Sequence, residues 1–477
     1  MIGGVRFAAN LTAVLANGRR HVDDVRMQAN YRLAVVTALG CSCALAASVP
    51  AGMVRVSDAA RHSLAPDVTV DSRGNVAIIW LDKEPATATA PASDAGMEHA
   101  GMQHGAGAPP DRHLSSMDLY FARSTDGGRR FSKPLRVNRE PGQVWGFAVS
   151  KPKVAIAPTG TIHIAYPANA VSSVPGKSVL VMYYTRSTDG GKSFEQPRLL
   201  HQIPALDQSA FMDGGFTTAH AFGSIGVAPD GSVHAIWVDT RDWDRERGAG
   251  SAYYARSTDD GRTFTAEAAA LPTDVCPCCQ IMLAFDAASN VYVGARQVTG
   301  DGHRNSSIGR MPAGSNKVSQ RAGLATVPWK LEGCPLKPTV VAVDGNTVYA
   351  AAYHGGENPA GVYAAVSANG GASFAAEFAI HPDATVSDAP ALVLAGGAQP
   401  IIAWHAKTTA VRRVFWRSLA RGGGSMGAIN ELAAPEGSAQ APALAARPDG
   451  RVQLAWQQGE QILTTIIDPR AALRVAR

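Results

Sequence analysis

Four of the chain's six cysteines stand in two short phrases, Cys276-Pro277-Cys278-Cys279-Gln280 and Gly333-Cys334-Pro335. Thiolates hold soft metals such as Cu(I), and paired thiols form redox couples or bridges. A second soft-donor group lies between Asp82 and Asp118, where Met97, His99, Met102 and His104, with His113 and Met117 downstream, put thioether and imidazole side by side. That donor set suits copper. The segment 83–117 is dominated by Ala, Gly, Pro and Thr and buries too little apolar surface to order itself, so it is expected to be a disordered loop insertion. A solvated linker with incidental Met and His is the plain alternative. For the cysteines three readings stay open. An even number in an oxidising compartment fits disulfides, and four allow three pairings. Vicinal Cys278 and Cys279 rarely bridge each other, so a bridge from Cys334 to the cluster is the simplest structural reading. A metal–thiolate site and a redox-active pair are the other two.

What brings these groups together is a repeated frame. Pro66 and Gly74 open and turn an apolar strand pair ending in Trp80, and the same eight-residue spacing recurs as Pro152 with Gly160, Pro338 with Asn346, Pro390 with Ala398, and Pro442 with Gly450. Gly223 with Gly231 and Ile281 with Ser289 fit as divergent copies. Each copy reads as two buried strands facing a core. Cys276, Cys278 and Cys279 precede the fourth slot and Cys334 the fifth, so all four sulfurs are expected to cluster. Corresponding positions carry His62, Lys151, His220, Asp388 and Gln440, which are expected to face one axial ligand site.

A second phrase alternates with the first: Ser124-Thr-Asp126-Gly-Gly-Arg-Arg-Phe131, Ser187-Thr-Asp189-Gly-Gly-Lys-Ser-Phe194, Ser257-Thr-Asp259-Asp-Gly261-Arg-Thr-Phe264, and the weaker Ser367-Ala-Asn369-Gly-Gly-Ala-Ser-Phe374. In each, the Asp or Asn accepts from N–H groups of its own turn, Gly supplies a positive φ, and the Phe is expected to fold back as an apolar plug. The phrase matches the Asp-box, or BNR repeat, and the chain resembles the sialidase-like β-propeller superfamily. The resemblance implies an all-β propeller of four-stranded blades with Asp126, Asp189, Asp259 and Asn369 as structural parts, away from the catalytic face. Counting inner pairs gives seven blades; six, as in true sialidases, is the alternative. Ile462 to Ile467 ends one strand short of a blade, and Met53 to Val56 is expected to complete it.

The same resemblance implies an arginine triad, a Tyr nucleophile with its Glu, and an Asp acid/base. This chain departs from it. Val54-Arg55-Val-Ser-Asp58 stands where the family has its early Arg-Ile-Pro phrase, and no Tyr follows Tyr363 around Arg412-Arg413-Val-Phe-Trp-Arg417. An efficient sialidase is therefore not expected, and no catalytic residue is assigned. Asp213, Asp239, Arg241 and Glu246 read as a solvated rim.

Residues 33–46 are apolar and end in Ala44-Leu45-Ala46, so 27–46 reads as a secretory signal within a leader 1–46, with an uncleaved membrane anchor as the alternative. The expected location is periplasmic or secreted. One propeller domain is expected over 53–467. The chain is 46% hydrophobic and 17% charged, with 48 Gly and 29 Pro, as turn-rich all-β chains are. Its formal charge of +5 owes more than half to leader arginines, and nothing points to nucleic acid. The expected protein is thus a monomeric binding or scaffold propeller, with copper, another small ligand or a glycan at the axial face. A rearranged glycan hydrolase and a structural propeller that engages a protein partner are the competing classes.

Overall fold

The computed structural model describes residues 50–83 and 117–470, apart from 148–149, 172–177, 203–215, 301, 325–327, 332–334, 357–358, 385, 397, 408–410, 424, 434 and 436. The leader, Met97, His99, Met102, His104, Asp213 and Cys334 lie outside the described residues.

The unit of the fold is a four-stranded antiparallel meander. Four meanders are separate sheets, and their innermost strands are His62–Val70, Thr339–Asp344, Val386–Ala395 and Ala439–Ala446. Twelve further strands, from Lys153–Ile156 to Gln320–Gly323, make one sheet. Within it the same pattern recurs behind the inner strands Lys153–Ile156, Phe216–Val227 and Met282–Phe285. The meander that begins at Ala439 takes its fourth strand from Met53–Arg55, with Met53 opposite Thr465 and Arg55 opposite Leu463. The strand expected at Met53 to Val56 is there, and it ties the two ends of the described chain together. Inner strands pack in series, each against the next, and Ala439–Ala446 packs back against His62–Val70.

Second strands are covered on both faces and read as continuous apolar runs; Val76 to Leu81 is wholly buried. Trp80, Trp237, Trp404 and Trp456 are fully buried. A strand places residues i and i+2 on one face, so an indole can find its acceptor two residues on. Trp80 Nε1 donates to Asp82 (2.8 Å), Trp237 to Asp239 (3.1 Å) and Trp456 to Gln458 (3.0 Å).

The Asp-boxes form the expected turns. Asp126 accepts from the N–H groups of Arg129 (3.1 Å) and Arg130 (2.9 Å), and Gly128 N–H donates to Ser124 Oγ (2.8 Å). Hydrogen bonds from the Arg130 backbone, the Ser193 hydroxyl and the Thr263 hydroxyl hold Asp126, Asp189 and Asp259, respectively, well below the usual carboxylate range. Asn369 accepts from Ser373 N–H (3.0 Å) in the same role.

The plugs Phe194 and Phe264 differ from expectation, because they enter the preceding meander and do not fold onto their own turn. Phe194 meets Phe121 edge-on at 5.1 Å and Phe264 meets Tyr184 at 4.9 Å. Phe131 packs on a cluster that joins Val76, Ile78 and Ala122 of its own meander to Ala443, Ala445 and Ala455 of the last. The glycines explain this direction. A Cβ on Gly191 would lie 2.3 Å from Phe121, and one on Gly261 would lie 1.9 Å from the Tyr184 hydroxyl, so the turn sits on its neighbour's aromatic ring. The second and third Asp-boxes are therefore joints between meanders.

Candidate metal and ligand site

Four of the inner strands share a local device just ahead of their slots. Ala65 (φ 54°), Phe222 (φ 53°), Ala389 (φ 49°) and Ala441 (φ 53°) are left-handed, each one residue before Pro66, Gly223, Pro390 or Pro442. The register slips at the same points, between Leu64 and Asp67, Ala221 and Ser224, Asp388 and Ala391, and Gln440 and Ala443. A left-handed Ala costs about 1–2 kcal/mol, and residues ahead of Pro favour extended backbone. Strain repeated at one level of the ring re-aims the residues that precede each slot.

Cys276, Cys278 and Cys279 lie here, all buried in one cluster with Trp145, Phe222, Ile281 and Val298. Cys276 and Cys279 are not disulfide-bonded. Cys278 is disulfide-bonded and supplies no thiolate, which removes it from the expected ligand set. Its partner is not among the described residues. The sulfurs of Cys276 and Cys279 are 3.4 Å apart. Lys337 N–H, from the strand approach of the next meander, donates to Cys279 Sγ at 3.4 Å, and Arg304 Nη1 lies 3.9 Å from Cys276 Sγ.

Behind the pair, Arg296 is fully buried, donating to the carbonyls of Arg304 (2.7 Å) and Tyr353 (2.8 Å), with its guanidinium over the Trp329 ring at 5.2 Å. Burial pushes both thiols up. For Cys279 the hydrogen bond with Cys276, the Arg296 charge and the Lys337 N–H more than reverse this and hold it below the ordinary thiol value. Cys276 is held above it by burial and by Cys279. The result is a buried pair of sulfurs beside two guanidinium groups. Among the described residues no group of three or more His, Cys, Asp or Glu is placed to hold a metal, so a metal here would rest on two sulfurs.

The remaining slot residues have different local partners. Lys151 lines an axial cavity of about 100 Å³ together with Asp67, Lys153, Gln280, Met282 and Pro442. Asp388 is buried and ion-paired with Lys337. His62 faces Glu460 at 3.4 Å, and Gln440 sits opposite Gln457 in the last meander. His220 turns into its own sheet, where Nδ1 meets Asp239 Oδ2 at 2.7 Å.

Asp239 is not solvated rim. It is fully buried and also accepts from Trp237 Nε1, the Arg241 N–H (2.9 Å) and the Arg241 guanidinium (2.8 Å). Burial raises its pKa, but His220 and Arg241 reverse this and hold it far below the usual range. The His201 ring stacks on His220 at 3.9 Å; burial and that neighbour bring its pKa down to about 3, and its neutral Nε2 accepts from Met182 N–H (3.0 Å). Sequence reasoning placed His220 but missed this network. The Trp-x-Asp spacing at Trp237 and Asp239 was its signal.

No family model matches the chain, and no curated protein matches it. Among solved structures, an ulvan lyase of polysaccharide lyase family PL25, bound to -[GlcA(1-4)Rha3S]-, aligns with TM-score 0.52 and 13% identity over 88% of this chain and 99% of the lyase. The chain has a sialidase-like propeller fold. A protein of unknown function from Dyadobacter fermentans aligns at TM-score 0.48 and 15% identity (87% and 99% covered), and the Hadza microbial sialidase Hz136 at TM-score 0.44 and 13% identity (88% and 95% covered).

Proposed function

We propose that this sialidase-like protein is an exported seven-bladed propeller that binds Cu(I) through Cys276 and Cys279 at its axial face. The observation that carries the reading is the 3.4 Å separation of two buried sulfurs outside any disulfide, with Cys279 held below the ordinary thiol value by Cys276, Arg296 and the Lys337 N–H. Soft thiolates select Cu(I), and two adjacent guanidinium groups favour the net negative charge of a bis-thiolate complex. Two metal–sulfur bonds of about 2.3 Å span more than the present gap, so capture opens the pair by about 1 Å or bends the S–Cu–S angle. Met97, His99, Met102 and His104 are proposed to collect the ion and pass it on, and Cys334 to be the bridge partner of Cys278. Cys334 lies only three residues before Lys337, whose N–H touches Cys279.

The seven-blade reading is supported by the meander count and by the serial packing of inner strands back to His62–Val70. Export is supported by the apolar 27–46 segment.

The same distance favours a second reading, a redox couple. A disulfide needs about 2.05 Å, so oxidation of Cys276 and Cys279 asks each sulfur to move by less than about 1 Å. Copper titration with a thiol count separates the two: the metal site binds Cu(I) in the reduced protein, while a purely redox pair exchanges with disulfides and leaves copper with its competitor.

Sialic acid hydrolysis is not part of the proposal. Tyr120, Tyr253, Tyr353 and Tyr363 are all pushed up by burial, away from the phenolate that a Tyr nucleophile requires. The ulvan lyase with this fold binds a glucuronyl sugar. A glycan or another small ligand at the axial face of this chain is supported by fold alone.

A further inference from the structure

The axial cavity presents an unusual lysine. Lys151 is partly accessible by area, yet its ammonium sits deep among protein atoms and donates to the Pro442 carbonyl at 3.3 Å. Among the described residues no carboxylate lies within ion-pair distance of it. The nearby Asp67 is already taken, by Lys153 Nζ (2.7 Å) and by the Val154 N–H (3.0 Å). Gln280 is spent as well, its amide donating to the carbonyls of Lys151 (2.7 Å) and Gly223 (2.9 Å). Two lysines against one aspartate leave the cavity one positive charge in excess.

The rest of the wall is apolar: Met282, Leu283, Val340, Leu392 and Leu444 with three slot prolines. A buried ammonium without a counter-charge is costly, and it either loses its proton or gains an anion. We infer that the axial cavity is a binding site for a small organic carboxylate, with Lys151 meeting the carboxylate and the apolar wall its short chain. About 100 Å³ is room for several waters or one such anion. The site does not depend on the thiol pair.

Burial, with Lys153 beside it, brings the Lys151 pKa down to about 7, partly offset by Asp67. An anion restores the proton, so binding takes up protons above neutral pH and weakens about tenfold per pH unit there. Other titratable groups near the cavity are Lys153 and Asp67, the Asp388–Lys337 pair behind Ala389, and His405, whose Nδ1 accepts from Ala441 N–H (3.3 Å). The paired groups cannot supply the same slope.

The test is calorimetric titration of the full chain with acetate and with propionate, at fixed ionic strength in chloride, at pH 6.5, 7.5 and 8.5 in two buffers of different ionisation enthalpy. The expected result is saturable binding, tighter for propionate, with proton uptake that grows with pH. Lys151→Met should abolish it. Lys151→Arg should keep binding and lose the pH dependence, which decides the matter if the Met variant does not fold. Absence of saturable binding, equal binding by Lys151→Met, or phosphate binding without carboxylate binding would each overturn the inference.

Discussion

Cys279 Sγ sits between the Cys276 sulfur, 3.4 Å away, and the Lys337 N–H, also 3.4 Å away, which arrives from the next meander. One sulfur is therefore positioned by its own loop and by the adjacent sheet. A thiol held this way responds to changes in either neighbour, and both contacts stabilise it as thiolate.

That geometry fixes what thiol chemistry should report. The two unbridged thiols are buried, at 0% exposure for Cys276 and 1% for Cys279, so native protein should react slowly with iodoacetamide. Unfolding without reductant should expose both for alkylation and leave Cys278 unmodified. Mass mapping of the tryptic peptide from Thr263 to Arg296 reads the outcome. Fast alkylation of Cys278 would contradict the structure.

Turn glycines should divide by what lies beneath them. Gly261→Ala drives a Cβ to 1.9 Å from the Tyr184 hydroxyl at φ 77°, whereas Gly74→Ala, at φ 82°, has nothing within 4 Å. The first should cost more than about 3 kcal/mol and the second about 1 kcal/mol, by the left-handed penalty alone. Tyr184→Phe should recover part of the Gly261→Ala loss and none of the Gly74→Ala loss in denaturant unfolding. Equal costs at both sites would refute the joint reading.

Much of this fold was legible because turns carry it. The Pro slot with a turn eight residues on marks each inner strand pair, and Ile462 to Ile467 ended visibly one strand short. The left-handed Ala65, Ala389 and Ala441 were not legible: alanine rarely adopts that conformation, and residues before proline are usually extended. The direction of Phe194 and Phe264 was also hidden, since a turn motif specifies its own hydrogen bonds and not which sheet receives its aromatic. At the site, spacing brought Cys276, Cys278 and Cys279 to one level but could not say which sulfur is bridged. Nor could it see that His220 would find Asp239 across its own sheet and leave the axis to Lys151.

Stability should rise with pH just above neutrality. Lys151 is protonated in the unfolded chain up to about 10.4 but loses its proton near pH 7 when folded. Between those values the unfolded state binds more protons, so the sign of the slope is positive. In carboxylate-free buffer the unfolding midpoint should climb from pH 7 to about 9, and Lys151→Met should flatten the climb. A falling wild-type curve, or an unchanged slope in the variant, would exclude the depressed lysine.

A fluorogenic sialoside should be turned over no faster by this protein than by a heat-denatured control. Tyr253 donates to Asp242 at 2.6 Å and is held protonated by burial and by that hydrogen bond, so it offers no ready nucleophile. Release of sialic acid that survives repurification and is lost on Tyr253→Phe would reverse this view.

The most direct test of the central claim is a Cu(I) titration of reduced protein against a chromophoric competitor. Wild type should hold about one Cu(I) per chain, as a two-thiolate soft site would. Cys276→Ser and Cys279→Ser should each lose it with their fold intact by near-ultraviolet circular dichroism. Full occupancy in the Cys276→Ser, Cys279→Ser double variant, or no copper held by reduced wild type, would contradict the account.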